Sequence, residues 1–205
     1  MGLYQRFVLP RLTHLVCGME PMMRQRAKVV PHAHGRVLEV GIGTGLNLRY
    51  YDAAAVTEVC GLEPSSEMAA LAEREAKAAG FPVDLVLAPA EEMPFDAAAF
   101  DTVVMTYTLC TIPDPQAALR QMARVLRPGG RLLFCEHGAA PDASVRRWQE
   151  RMNPLWRSLA GGCNLNRDTA GLITSSGFRI EALETMYLPG WRPATFNSWG
   201  SAAPR

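Results

Sequence analysis

The sequence carries almost no surplus charge of either sign. Lys and Arg number 21 against 20 Asp and Glu, leaving a formal net charge of +1 over 205 residues. That balance excludes a chain that tracks nucleic-acid phosphates, which shows a basic excess or a basic stripe. No apolar run approaches the roughly 20 residues that a membrane-spanning helix requires. No secretory leader is visible: Arg6 and Arg11 lie near the start, but Pro10 and His14 interrupt the apolar stretch and no small-residue cleavage site follows. Cysteine is scarce and unpaired, five residues at positions 17, 60, 110, 135 and 163 with no Cys-x-x-Cys spacing, so neither a disulfide framework nor a structural zinc site is expected. Internal repeats, low-complexity tracts and linkers are also missing. What remains is 48% hydrophobic and 20% charged, enough apolar material for a sizeable core and too little net charge for a disordered chain. The length predicts one domain, at most two small ones, in a soluble cytoplasmic protein.

The order of segments gives the fold class. Arg36 to Val40 is a short apolar run ending in glycines, the pattern of a buried strand, and Leu46 to Tyr51 can open a helix after it. Val59 to Glu63 reads as a second strand. Pro64-Ser65-Ser66-Glu67 offers a cap for an Ala- and Glu-rich helix over Met68 to Ala79, stopped by Gly80. Strands are predicted at Val83–Leu87, Phe100–Thr106 and Arg131–Cys135. An amphipathic helix over Gln116 to Leu126 precedes the last of these, stopped by Pro128-Gly129-Gly130. Asp114 is placed to cap it, with Pro115 at its first position. This alternation predicts a parallel sheet covered on both faces. Residues 1–34 read as a helical cap and residues 138–176 as a helical cover, with helices over Val145–Leu159 and Thr169–Ser175. Residues 177–205 read as a closing strand pair, Phe178–Tyr187 and Ala194–Ala202. The two helical pieces can together cover the carboxyl edge of the sheet, where such folds bind ligands.

The chemistry-bearing residues begin at Glu39-Val40-Gly41-Ile42-Gly43-Thr44-Gly45, between a strand and a helix. Glycines there permit a tight turn and close approach of the backbone to a ligand. A dinucleotide fingerprint would require its third glycine at 46, where Leu46 stands, so an NAD-type pyrophosphate site is disfavoured. Glu63 ends the second strand, where a carboxylate can accept both hydroxyls of a ribose. Ala90-Glu91-Glu92-Met93-Pro94-Phe95, Phe100-Asp101-Thr102-Val103-Val104 and Arg124-Val125-Leu126-Arg127-Pro128-Gly129-Gly130 follow in order.

On these five motifs, residues 35–137 resemble the class I S-adenosylmethionine-dependent methyltransferases. The resemblance implies a Rossmann-like α/β fold, a seven-stranded, mostly parallel sheet whose last strand is antiparallel, and S-adenosylmethionine as cofactor with S-adenosylhomocysteine as product. It implies that Gly41, Gly43 and Gly45 cradle the methionine and ribose part, with Asn47 and Leu48 beside the methionine moiety. Glu63 would hold the ribose diol, Pro64 and Met68 would flank the adenine, and Ala90 and Glu91 would meet its edge. Thr106 would face the amino group or sulfonium, and Glu39 would orient the loop from behind.

A further set lies outside these motifs: Thr108-Leu109-Cys110-Thr111-Ile112, Glu136-His137-Gly138, Trp148-Gln149, Asn153-Pro154-Leu155-Trp156 and Gly161-Gly162-Cys163-Asn164-Leu165-Asn166-Arg167. Here the sequence is similar to the alkyl-thiol methyltransferases (the methyltransferase-like protein 7 type) and their bacterial relatives. The resemblance implies S-methylation of a small, lipophilic thiol, hydrogen sulfide included. An N- or O-methyltransferase for a lipid headgroup, quinone or other small metabolite is the alternative. The hydrophobic N-terminal membrane segment of the mammalian enzymes is not matched, since Leu3 to Val16 is broken by Pro10 and charged at Arg6 and Arg11.

For the acceptor, His137 is the candidate base, because an imidazole with an ordinary pKa near ~6.5 can take a thiol proton at neutral pH. Tyr107 and Trp156 are candidate pocket residues, although helix packing explains most of the apolar residues around Trp156. Cys110 and Cys163 invite a methyl relay or a soft-metal site. Free cysteine is commonly buried, so both are read as small pocket liners and no metal is expected. Arg167 can bind an anion or pair with Glu136. Leu3, Tyr4, Phe7, Val8, Leu12 and Leu15 form an apolar stripe that can close over the cofactor or pack permanently on the sheet.

Overall fold

Strands buried on both faces should read as near-continuous apolar runs, and the central ones here do. In the computed structural model, which describes residues 8–205, they assemble one seven-stranded sheet. Its strands are β1 (Gly35–Val40), β2 (Val56–Leu62), β3 (Val83–Val86), β4 (Phe100–Thr106), β5 (Leu126–His137), β6 (Phe178–Tyr187) and β7 (Phe196–Pro204). Their spatial order is β3-β2-β1-β4-β5-β7-β6, with β7 alone antiparallel, paired to β5 on one side and β6 on the other. The chain winds outward from β1 to β3 and returns to β4, which lies beside β1. That reversal opens a crevice at the carboxyl ends of β1 and β4, where open α/β sheets bind ligands.

The period-two alternation of the strands divides the core into two layers. Leu38, Val40, Cys60, Leu62, Val103, Met105, Leu132 and Phe134 face α4 (Pro115–Val125) and α6 (Thr169–Ser175), meeting Leu119, Met122 and Ile173. Val37, Val59, Val104, Leu133 and Cys135 face the other way, toward Val29 of α2 (Glu20–Val29) and toward Val30 and Tyr51. On that second side α3 (Ser66–Ala78) packs Ala76 against the cluster. Leu119 and Phe134 are fully buried, and truncating either to alanine costs roughly 2–5 kcal/mol.

Several local expectations hold, and others shift. Ser65 caps α3 by accepting from the Met68 N–H, and Asp114 caps α4 by accepting from Ala117 with Pro115 at the first position. The segment Leu46–Tyr51 forms only a single 3-10 turn, Leu48–Tyr50, instead of a helix. Its side chains are committed elsewhere: Asn47 and Tyr51 both turn inward to Glu39, and Asp52 starts the turn into β2. β5 begins at Leu126, five residues early, because Leu126 pairs with Phe100 before a register irregularity carries the strand to Arg131 opposite Thr102. The helical cover supplies α5 (Ala143–Leu159) with Pro154 inside it, and a short turn α7 (Arg192–Thr195) precedes β7.

The N-terminal helix α1 (Leu9–Cys17) runs over the carboxyl edge. His14 Nδ1 lies 2.7 Å from Thr44 Oγ1 in the glycine loop, and Leu9 packs tightly on Gly161. Its other face, with Val8, Leu12 and Leu15, is exposed; Leu15 is 68% accessible. The described part of the stripe, Val8, Leu12 and Leu15, therefore lies on the solvent side, and the helix meets the glycine loop through His14 instead. Leu3, Tyr4 and Phe7 lie outside the described residues.

Candidate active site

The glycine loop follows β1 directly. Gly41, Gly43 and Gly45 all take left-handed backbone angles, φ +69°, +58° and +80°. Two are locked by neighbours: a Cβ on Gly41 would strike Thr108, and one on Gly45 would press on Glu75 and Leu48. Gly43 differs, since the nearest atom to a Cβ there is Met68 Cε at 3.6 Å. A Cβ there would fit in ordinary contact with Met68, so Gly43 is the least tightly packed of the three. Glu63 closes the loop from β2, accepting from Gly43 N and Ser65 N at 3.0 Å each. Burial raises its pKa, and those two N–H groups lower it. The carboxylate is oriented while lone pairs on both oxygens stay free for a diol. Pro64 is exposed, Ala90 is buried, and Glu91 accepts from the Asp114 N–H.

Behind the loop lies a buried polar network. Glu39 accepts from Asn47 Nδ2 at 2.9 Å and from Tyr51 O–H at 2.8 Å. Burial pushes Glu39 up to about 7, against the pull of Tyr51, Arg26 and Asn47. Asn47 also donates to Thr106 Oγ1 at 2.9 Å, and Leu48 is buried beside it. Arg26 of α2 completes the group, donating from Nη1 to Asn47 Oδ1 at 2.9 Å and to Thr106 Oγ1 at 2.5 Å. Its guanidinium lies 5.0 Å over the Tyr107 ring. It is only 5% accessible, forms no ion pair among the described residues, and leaves its Nε without a partner. A buried cation with an idle donor suits a ligand carboxylate. The looser packing at Gly43, an oriented acid at Glu63 and a spare guanidinium donor together fit the methionine, ribose and carboxylate parts of S-adenosylmethionine.

The acceptor side is built from loops that follow β4 and β5. Tyr107 is buried at φ +53°, its hydroxyl 3.4 Å from Asn197 Nδ2, and burial holds its phenol well above the usual value. Glu136, at the end of β5, is fully buried and accepts from the Thr108 and Leu109 N–H groups through Oε1, while Oε2 has no partner. Burial pushes it up to about 7 against those two donors. His137 follows. Its Nε2 lies 3.2 Å from Cys163 Sγ. Burial pulls the imidazolium down, but the charge available on Cys163 and Glu136 outweighs it and leaves its pKa raised. Cys110 is buried beside them, and its hydrogen bond to Cys163 and burial hold the Cys163 thiol well above the usual range.

The return of Cys163 to this point depends on Gly161 and Gly162, both at positive φ. Asn164 then donates twice to the Cys110 carbonyl, from N at 2.9 Å and Nδ2 at 2.7 Å. Arg167 donates to the Leu109 carbonyl and reinforces the same seam. Trp156 is half-buried and stacks tilted on Trp191, ring centres 6.2 Å apart.

Arg26 was hidden from sequence reasoning inside an apparent helical prelude. The signal available was a cation on the inward stripe of α2, where Arg26 shares the buried face with Gln25 and Val29. The clustering of Cys110, His137 and Cys163 carried no local signal, since each is 26 or more residues from the next.

The fold and the loop define a methyltransferase that takes its methyl group from S-adenosylmethionine. A family model described as a methyltransferase domain matches residues 38–134. Thiol S-methyltransferase TMT1B of Homo sapiens is 34% identical over 177 residues, covering 83% of this chain and 72% of that protein. Phosphatidylethanolamine N-methyltransferase of Cereibacter sphaeroides is 38% identical over 133 residues, 62% of this chain and 64% of that one. A solved S-adenosylmethionine-dependent methyltransferase from Thermotoga maritima superposes over 98% of both chains with a TM-score of 0.69 at 22% identity, which bears on the fold. The chain belongs to the class I S-adenosylmethionine-dependent methyltransferases, in the group that contains the thiol S-methyltransferases TMT1A and TMT1B. Among the described residues, no helix is long and apolar enough to cross a membrane.

Proposed function

We propose that this enzyme methylates the sulfur of a small, lipophilic thiol. The observation that carries the reading is the similarity to the thiol S-methyltransferases over 83% of the chain, which extends well past the cofactor half. The acceptor edge supports it: His137 is half-buried, and its Nε2 already lies against a sulfur atom. S-adenosylmethionine supplies an electrophilic methyl group on a sulfonium. The chain's own residues then have three tasks. Glu63 holds the ribose diol, with Met68, Pro64, Ala90 and Glu91 around the adenine. Arg26 takes the methionine carboxylate through its spare Nε, while Thr106 and Asn47, braced by Glu39, fix the amino-acid end. Tyr107 and the loop from Thr108 to Cys110 exclude water on the acceptor side, and in the metal-free chain His137 is placed to take the thiol proton. Most of the rate comes from holding sulfur, methyl and leaving sulfur in line in a dry site.

Of the described residues, 8–34 and 138–176 act as cover and 35–137 as the cofactor core. A cytoplasmic setting suits the five free thiols. N-methylation of a lipid headgroup is the second reading, favoured by the 38% identity to the phosphatidylethanolamine enzyme. Labelled S-adenosylmethionine offered with a panel of thiols, amines and phenols decides between them. Methylated alkyl thiols are the expected product; turnover of amines or phenols with every thiol inert ends the thiol reading.

A further inference from the structure

Cys110 follows β4, His137 ends β5 and Cys163 follows α5, yet one donor atom of each lies within 4.8 Å of the others. With zinc–sulfur bonds of about 2.3 Å and zinc–nitrogen bonds of about 2.0–2.1 Å, a tetrahedral centre needs its sulfurs about 3.8 Å apart and sulfur about 3.5 Å from nitrogen. The Cys163 Sγ to His137 Nε2 distance of 3.2 Å falls a few tenths of an ångström short of that, and the remaining gaps are within reach of side-chain rotation. The surrounding backbone holds this arrangement without help from the thiols. Asn164 binds the Cys110 carbonyl twice, Asn153 accepts from the Leu165 N–H and donates to Asn164, and Gly161 and Gly162 turn the chain so that Cys163 points back. The Cys110 side is fixed through Glu136, whose carboxylate grips the Thr108 and Leu109 N–H groups, and through Arg167 on the Leu109 carbonyl.

We propose that Cys110, His137 and Cys163 form a binding site for a thiophilic divalent cation, zinc foremost, whose open fourth position takes the acceptor sulfur. Two thiolates and one imidazole select zinc over magnesium or calcium, which demand oxygen donors. Three protein ligands with one position free is the donor count of a catalytic zinc, while structural sites close all four positions. As the cation binds, each cysteine thiol gives its proton to water. Two thiolates and a neutral imidazole then balance the dication, and a thiol entering the fourth position gives its own proton to water and stays bound as the thiolate nucleophile. In that form His137 is a ligand, and the proton it would otherwise take leaves on coordination. The site stands on its own geometry; the role of the fourth position rests on the thiol reading.

The test uses the full chain, stripped of metal under reductant and titrated with Co²⁺ as a spectroscopic stand-in for Zn²⁺. The expected result is one cobalt per chain with an intense sulfur-to-metal charge-transfer band, displaced by zinc. The band is lost in Cys110→Ala, Cys163→Ala and His137→Ala and kept in Cys60→Ala, which alters a buried cysteine inside β2. Calorimetry with S-adenosylhomocysteine identifies the variants that are folded; Cys163, half-buried, carries the test if Cys110→Ala is not among them. A stripped chain that shows no such band, or a band that survives loss of Cys163, overturns the site. Adding a small thiol to the cobalt form is expected to shift the band. Metal binding with no thiol methylated leaves the site standing and removes the thiol reading. Undiminished thiol turnover by verified metal-free enzyme overturns the role of the fourth position.

Discussion

The proposed donor side and the proposed acceptor side of the carboxyl edge are built from different material. The donor side is backbone geometry and short-range sequence: three glycines in five residues, an acid at the end of the next strand, and an asparagine and a threonine tied to Glu39 and Arg26. The acceptor side is assembled from side chains at 110, 137 and 163, brought together by loops that hold one another through carbonyl hydrogen bonds. A donor site shared by a large family can be written as a motif, because the same strand ends always supply it. An acceptor site must differ with each nucleophile, so it is placed on long connections where spacing is free to vary.

Four substitutions probe this division, in decreasing order of effect. Gly43→Val places a β-branched residue at φ +58° and fills the space beside Met68. Binding of S-adenosylhomocysteine should weaken at least ~100-fold by calorimetry. His137→Ala should lower turnover roughly 100-fold or more while leaving that binding within about twofold. A loss of cofactor affinity comparable to that of Gly43→Val would mean that the two sides are not separate. Glu63→Gln keeps the shape and removes the charge, so cofactor affinity should fall about tenfold, with little change in turnover at saturation. The smallest effect is on stability.

Glu39 is held at about 7 when folded, against a usual value of 4.5, in contact with Tyr51 and near Arg26. Between those pH values the folded chain binds more protons than the unfolded chain, so ligand-free stability should fall as pH rises, by up to ~1.4 kcal/mol per pH unit. Below about 4.5 both states are protonated and the dependence ends. Glu136, pushed up to about 7 by the same burial, adds a slope of the same sign, so Glu39→Gln should remove one carboxyl's share and leave a shallower fall in urea titrations across that window. A stability that instead climbs from pH 5 to 7 in the parent, with the same climb in the variant, assigns the pH dependence to other groups.

Much of this architecture was legible beforehand. Strands at 36–40, 100–106 and 178–187 lie where apolar runs and β-branched residues put them, and the helix over 116–126 was announced by Asp114 and Pro115. The early start of β5 was not, because Arg127-Pro128-Gly129-Gly130 carries turn chemistry while its backbone still continues the strand from Leu126. The helix after the glycine loop failed to form for a tertiary reason: Asn47 and Tyr51 are worth more to the buried Glu39 than to a helix surface. The motifs singled out the glycines, Glu63 and Thr106, which the structure brings to the carboxyl edge of the sheet. They gave no sign of Arg26, which lies 80 residues from Thr106 in sequence, and the sequence favours Cys110 and Cys163 as separate pocket liners over a joint site, although the two meet beside His137.

The buried Glu39 beside Arg26 has a thermochemical consequence. A carboxyl held at about 7 is close to half protonated in neutral solution. A ligand that brings an ammonium and a sulfonium against a single carboxylate carries a net positive charge into its neighbourhood, which favours the ionised form and expels the proton. S-adenosylmethionine should therefore bind with net proton release near pH 7, and the heat of binding should change from one buffer to another in proportion to the buffer's own heat of ionisation.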